Sequence, residues 1–339
     1  SMTPMQMRMM ALKVAMEEQM NNSTKIREDM TSLATEVNKV IKGKQEIVWK
    51  VIMAMAGSGH ILLEDVPGLG KTTLAMAFSR ALGFKNKRIQ FTPDTMPGDI
   101  MGMSIYNEQT NSFEYMEGAA VGCNLLLGDE INRTSSKTQS ALLEAMAEGH
   151  VTVDGTTHIL EKPFIVIATQ NPITSGGTQP LPDSQLDRFM IRLSMGYPDT
   201  QNQLAILQNI SERDQLEVIR PVMTAGDLVE IQNMVKNMAV SEEVLLYLIH
   251  LCEATRVHPD VELGISPRGI HALAQMSKAC AVCQGRDFVT PDDVLTVYED
   301  VCAHRLLLRS RAKRDGQTAS MILSQIVEQT QKPQLMRKS

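Results

Sequence analysis

Five short apolar blocks punctuate the chain between Val37 and Ser194: Ile61–Leu63, Arg88–Phe91, Asn124–Leu127, Phe164–Thr169 and Met190–Leu193. Each is too short for a helix, and stretches with apolar residues at helical spacing lie between them. Blocks of this kind read as strands covered on both faces. The pattern therefore predicts an α/β domain with a mostly parallel sheet and helices on either side. Gly83 marks the stop of a helix that begins near Lys71. Val151–Leu160 reads as a hairpin turning at Asp154-Gly155, inserted just before the strand at Phe164.

After Tyr197-Pro198-Asp199 the pattern changes to helical spacing, with no convincing strand over residues 200–330. Ser266-Pro267 and Thr290-Pro291 each place a capping side chain before a proline suited to the first helical position. At the other end, Met2, Met5, Met9, Met16 and Met20 alternate with charges, as in an adaptable amphipathic helix or a frayed leader. The expected organisation is a leader over 1–35, an α/β core over 36–199, an all-helical domain over 200–333 and a tail over 334–339.

The most informative segment is Glu64-Asp65-Val66-Pro67-Gly68-Leu69-Gly70-Lys71-Thr72-Thr73. It joins a buried strand to a helix through a glycine-rich turn. That order builds a phosphate cradle, in which backbone N–H groups and the positive helix end face a polyphosphate. Lys71 would reach the β- and γ-phosphates, and Thr72 would hold Mg²⁺. Asp65 stands where the strict pattern has its first glycine, a variant that aspartate's backbone tolerance permits.

A cradle alone only binds; hydrolysis also needs a metal, an activated water and stabilisation of phosphoryl charge. Asn124-Leu125-Leu126-Leu127-Gly128-Asp129-Glu130 ends a buried strand in two carboxylates. Asp129 is the candidate for Mg²⁺ and Glu130 for polarising the water, with Gly128 leaving room for the cradle. A solvated acidic turn is the plainer alternative, and the neighbouring cradle argues against it. The strand at Phe164 ends in Asn171, which Pro172 disfavours from helical geometry. Arg268 falls in the first turn of the helix capped by Ser266, where a cation opposes the dipole unless an anion meets it. Arg188, before the last core block, is open to the same reading or to pairing with a nearby acid.

Composition narrows the classes. The 339 residues are 43% hydrophobic and 21% charged, with a formal charge of −6, which suits a soluble chain and not a nucleic-acid coat. No run approaches the roughly 18 apolar residues of a membrane span, and no signal-peptide pattern is visible. Five scattered cysteines suggest a reducing compartment, with the cytoplasm as default. Cys280 and Cys283 have metal-like spacing without a second pair, so core packing is the expectation.

Taken together, GHILLEDVPGLGKTTLA, LLLGDEINR with SSKTQSALLEAMAEG, ATQNP, LPDSQLDRF, GYPD and LGISPRG resemble the MoxR-type AAA+ ATPases. These share a clade with magnesium-chelatase motor subunits, and the resemblance covers about residues 36–333. It implies an AAA+ P-loop NTPase core with a parallel sheet, followed by an all-α lid domain. ATP and Mg²⁺ are the implied cofactors, with Pro67, Gly68, Leu69, Gly70, Lys71, Thr72 and Thr73 around the phosphates. Asn171 matches the sensor-1 position, Arg188 the arginine finger and Arg268 the sensor-2 arginine. Ile41 and Gly43 match the segment beside adenine. Residues 95–118 match the helix-2 insertion and 151–160 the pre-sensor-1 insertion. Gly118–Cys123 departs from the usual Gly-Pro version, and Gly128 replaces a commoner alanine. The family implies a homo-oligomer, a hexameric ring, doing chaperone-like work on a client protein, often with a von Willebrand factor A domain adaptor. A nucleotide-gated binding module and a chelatase motor subunit are the alternatives; a DNA helicase is least supported, because no zinc module or basic stripe is present.

Overall fold

The computed structural model describes residues 2–64, 70–171, 181–208 and 215–334. Pro67, Gly68 and Leu69 of the expected cradle lie outside the described residues. Five strands form the central sheet: β1 (Ile61–Glu64), β2 (Asn86–Gln90), β5 (Leu125–Asp129), β8 (Ile165–Gln170) and β9 (Ile191–Leu193). Their order is β2-β5-β8-β1-β9, and every pairing is parallel. All carboxyl ends therefore share one edge, where Glu64 pairs with Gln170 and Gln90 with Asp129.

Alternation along the strands explains why they read as unbroken apolar blocks. Ile61, Leu63, Leu125, Leu127, Ile165 and Ile167 enter one core cluster, while Leu62, Leu126, Val166 and Ala168 enter a second. Successive side chains point to opposite faces, so a sheet covered on both sides needs apolar residues at every position. The first cluster receives α1 (Pro4–Asn38), α2 (Gln45–Ala56) and α3 (Lys71–Ala81); the second receives α4 (Pro97–Met101) and α5 (Ser136–Glu148).

Gly128 has a reason that the sequence did not suggest. A Cβ there would lie 2.9 Å from the Phe91 ring, so the glycine makes room for a core aromatic; the cradle loop it was expected to face lies outside the described residues. Two antiparallel hairpins interrupt the core: β3 (Met103–Asn107) with β4 (Ser112–Met116), and β6 (His150–Val153) with β7 (Thr156–Ile159). The second turns at Asp154 and Gly155, both at positive φ (48° and 78°), as a tight two-residue hairpin requires. Tyr115 and His158 stack at 3.7 Å and join the two hairpins.

Beyond the short α6 (Asp183–Leu186) and α7 (Thr200–Leu207), helices dominate: α8 (Ala225–Asn237), α9 (Glu242–Val257), α10 (Pro267–Cys283), α11 (Pro291–Cys302), α12 (Ser310–Arg314) and α13 (Ala319–Gln329). Ser266 and Thr290 cap α10 and α11 by accepting from Gly269 N–H and Asp293 N–H. Two strands do occur here, β10 (Val261–Leu263) and β11 (Leu307–Leu308), paired antiparallel. They add one short strand pair, which the sequence did not show, to a domain that is otherwise helical as expected; at three and two residues they are too short to carry a period. Cys280 and Cys283 are buried, and burial pushes the Cys280 thiol up to about 12.

Helix α1 runs through residue 35 without a break. Ile26, Met30, Leu33, Ala34 and Val37 are buried in the main core, whereas residues 2–22 are exposed. Among the described residues, no helix is long and apolar enough to cross a membrane.

One arginine joins the helical part to the sheet. Arg305, 9% exposed, bonds Asp187 Oδ1 at 2.7 Å and donates to the carbonyls of Asp187, Phe189, Met190 and Val301. Ser266 Oγ donates to the other Asp187 oxygen at 2.8 Å. Because Arg305 precedes β11 and Ser266 caps α10, both elements are fixed to the segment entering β9.

Candidate functional site

The described end of the cradle has the geometry that phosphate binding needs. Gly70, at φ +103°, precedes α3, and no side chain caps that helix. Such a terminus directs backbone N–H groups and positive dipole outward. A Cβ at Gly70 would lie 3.3 Å from Met195 Cε, a tight contact with a movable side-chain end, and the positive φ is what reserves the position for glycine. Lys71, 7% exposed, and Thr73 are buried, with Thr72 half-buried between them.

The loop after β9 links this turn to the segment before α2. Lys44 Nζ donates to the carbonyl of Met195 and, at 3.4 Å, to that of Tyr197. Gly43 has φ +74°, and a Cβ there would meet Asp199 Oδ2 at 3.0 Å. Ile41 is 5% exposed. Gly43, of the expected adenine-contacting pair, thus lies against the same loop whose Met195 approaches Gly70, and Ile41 is buried two residues before it.

At the carboxyl ends of β5 and β8 the polar groups converge. Asn171 Nδ2 donates to Glu130 Oε1 at 2.9 Å. The other Glu130 oxygen accepts from Gln90 Nε2 at 2.8 Å and from Arg133 Nη1 at 3.0 Å. Glu130 has φ +56°, and its N–H donates to Thr169 Oγ1 at 2.9 Å. A left-handed glutamate is uncommon, and here it turns the side chain from the strand direction toward Asn171. Burial works to raise the Glu130 pKa, but the Asn171 bond, the Arg133 bond and charge, and the Gln90 bond outweigh it and hold the carboxylate below its ordinary value. Glu130 is therefore an anion at neutral pH, aimed and restrained.

Asp129 is 7% exposed. Arg88 Nε donates to its Oδ2 at 2.6 Å, Arg88 Nη2 lies 2.5 Å from the same atom, and Thr169 Oγ1 donates to Oδ1 at 3.4 Å. With Thr72, this gives hard oxygen donors of the sort Mg²⁺ prefers. The donor set, the uncapped α3 terminus and the buried Lys71 fit a magnesium–nucleotide. Reading the sequence did not find Arg88, Gln90, Arg133 or Thr169. Only the two-residue spacing of Arg88 and Gln90, on the strand beside β5, hinted that both share a face.

The structure separates the two expected arginines from this edge. His60 precedes β1 and Met190 precedes β9, so both mark the amino ends of their strands. A cavity of about 380 Å³ there is lined by His60, Asp187, Arg188, Arg268, His271 and Arg305. A second, about 410 Å³, is also lined by Arg188 and Arg268, with Glu144 and Glu148. Arg268 therefore keeps company with Arg188 and not with Lys71 and Asp129. Both arginines are exposed, and neither guanidinium has a hydrogen-bond or ion-pair partner among the described residues. Two cations lining one cavity favour an anion there, and Glu144 and Glu148 of the same cavity supply part of that negative charge without a direct ion pair.

Known proteins resemble this chain in sequence and in fold. Residues 60–191 match the ATPase family associated with various cellular activities (AAA), and residues 253–326 match the AAA lid domain. The uncharacterized protein YeaC of Bacillus subtilis is 45% identical over 297 residues, covering 88% of this chain and 92% of that protein. The chaperone MoxR1 of Mycobacterium tuberculosis is 36% identical, covering 88% of this chain and 81% of its own. A crystal structure from Cytophaga hutchinsonii, provisionally assigned as an ATPase, has a TM-score of 0.85 at 34% identity, covering 96% of this chain and all of that one.

Proposed function

Because the chain belongs to the MoxR family of AAA+ ATPases, we propose that it hydrolyses ATP at a site completed by a second copy of itself. The observation that carries this reading is the split between the two sheet edges. Glu130, Asn171, Asp129, Lys71 and Thr72 gather at the carboxyl edge, whereas Arg188 and Arg268 stand at the amino edge with no partner among the described residues.

Within one copy, Gly70 and the first turn of α3 receive the phosphates, and Lys71 neutralises the β- and γ-oxygens. Ile41 and Gly43 border the base. Thr72 and Asp129 would hold Mg²⁺, which when bound supplies positive charge to the phosphate oxygens. Glu130 accepts a proton from the attacking water at a carboxylate oxygen, and Asn171 keeps that oxygen in place. Arg188 of the neighbouring copy then neutralises charge on the transferring phosphoryl, a contribution of roughly 10³–10⁵ in rate. Arg268 on the same edge would approach the same nucleotide, so lid position and nucleotide state are coupled through the neighbour.

A closed ring, expected to be hexameric, supplies every copy with a neighbour. The work done is chaperone-like remodelling or maturation of a client protein, with a von Willebrand factor A domain protein as adaptor. The test is ATP turnover per chain measured from dilute to concentrated protein. Specific activity should rise with concentration and with assembled mass; flat specific activity would reject a site shared between copies.

A further inference from the structure

Asp129 already has a cationic partner. Arg88 places two N–H groups on Oδ2, at 2.6 and 2.5 Å, and Thr169 occupies Oδ1 at 3.4 Å. The two partners differ sharply in exposure: 10% of the Asp129 side chain is accessible, against 55% of the Arg88 side chain. The carboxylate is thus fixed in the protein, while the arginine reaches it from solvent and can leave without unpacking anything.

A divalent ion seeking Asp129 meets two obstacles. Oδ2, the oxygen not shared with Thr169, is covered by the guanidinium. The guanidinium charge also stands within a few ångströms of where the ion would sit, and like charges repel at that range. An ion that arrives on a triphosphate changes both terms. The phosphates bring several negative charges, and a guanidinium pairs with phosphate oxygens at least as well as with a carboxylate. Arg88 can then release Asp129 without being left unpaired.

The geometry points to Arg88 as a cation placeholder. In the nucleotide-free chain it neutralises Asp129 and keeps free divalent ions off that carboxylate. It yields the carboxylate only to an ion that comes with a triphosphate. This rests on the reading of Asp129 as the metal carboxylate. It assigns Arg88 a positioning role, and it makes binding ordered: no metal without nucleotide.

Mn²⁺ titration followed by the paramagnetic resonance signal of free Mn²⁺ tests this without any turnover. Four proteins are compared: the unaltered chain, Arg88→Ala, Arg88→Gln and the double variant Arg88→Ala/Asp129→Asn. Without nucleotide, both single variants should bind Mn²⁺ at least tenfold more tightly than the unaltered chain, and the double variant should lose the gain. With a non-hydrolysable ATP analogue, which itself binds Mn²⁺, binding is read against the analogue alone: all but the double variant should hold Mn²⁺ more tightly than the free analogue does, and within about threefold of one another. Arg88→Gln keeps a polar, hydrogen-bonding side chain, shorter than arginine, while removing the charge, so it serves if Arg88→Ala misfolds. An arginine that merely orients Asp129 would give unchanged or weaker Mn²⁺ binding on replacement, and that result overturns the placeholder. If the unaltered chain bound no Mn²⁺ even with the analogue, the reading of Asp129 itself would fall. The two failures are therefore distinguishable.

Discussion

Replacing Asn171 with alanine removes one hydrogen bond, from Nδ2 to Glu130 Oε1 at 2.9 Å, and little else. The bond from Asn132 to Asn171 uses the backbone carbonyl and survives. Hydrogen bonds to a charged partner contribute about 1.5–3 kcal/mol. Since 21% of the Glu130 side chain remains accessible and Gln90 and Arg133 still hold the other oxygen, about 1–2 kcal/mol is the discounted expectation. If the same bond aims Glu130 in the transition state, kcat falls roughly 5–30-fold with KM for ATP little changed.

A second readout separates this bond from general damage. Glu130's folded pKa lies below the ordinary 4.5, so its stabilisation is present above that value and is lost as pH falls through the lower folded value. Asn171→Ala raises the folded pKa toward 4.5. The stability deficit of the variant should therefore be full at pH 7 and shrink as pH falls below 4.5. Urea unfolding of nucleotide-free protein across that range, together with steady-state ATP turnover, measures both. Unchanged kcat, or a deficit independent of pH, would refute the role given to this bond.

Two further predictions concern the fold that positions the site. Arg305→Ala removes the cationic partner of Asp187, which keeps only its Ser266 bond, and the donor to several carbonyls, and should cost about 3–5 kcal/mol in urea unfolding; a loss under 1 kcal/mol would deny Arg305 its bridging role. Burial pushes His60 down to about 4, the bond to Met146 O opposing only weakly, and its Nδ1 accepts from Val166 N–H at 3.0 Å. Burial likewise pushes His304 well below 6.5, with the Arg305 charge adding to it. Between pH 6.5 and about 4 the unfolded chain binds more protons at these residues, so stability should decline as pH falls through that window. His60→Gln should flatten part of that decline; an unaltered slope would count against a neutral folded imidazole.

The sequence disclosed those parts of the molecule whose signal is local. β5 and β8 are buried at every position, so their apolar blocks had no other reading. Lys71 follows a turn that only an uncapped helix start explains, and Asp154-Gly155 and the Ser266 and Thr290 caps are short-range chemistry. What stayed hidden depends on partners distant in the chain. Arg88 and Gln90 alternate with less exposed neighbours, as on any edge strand, and only the pairing of β2 with β5 brings them to Asp129 and Glu130. The left-handed backbone of Glu130 has no signature in a residue of that type. The reason for Gly128 lies in Phe91, 37 positions earlier. Arg268 showed its unfavourable place in a first helical turn, but the edge of the sheet it serves follows from how Arg305 and Ser266 dock α10 beside β9.

The most direct test of a shared site mixes two inactive proteins. Lys71→Ala retains Arg188 but lacks the lysine proposed to bind phosphate, and Arg188→Ala retains the cradle but lacks the arginine proposed to assist a neighbour. In a random equal mixture about a quarter of the interfaces combine an intact cradle with an intact arginine, so ATP turnover should recover to roughly a quarter of the unaltered protein's. Turnover no higher than the mean of the two variants alone would contradict a site built from two copies.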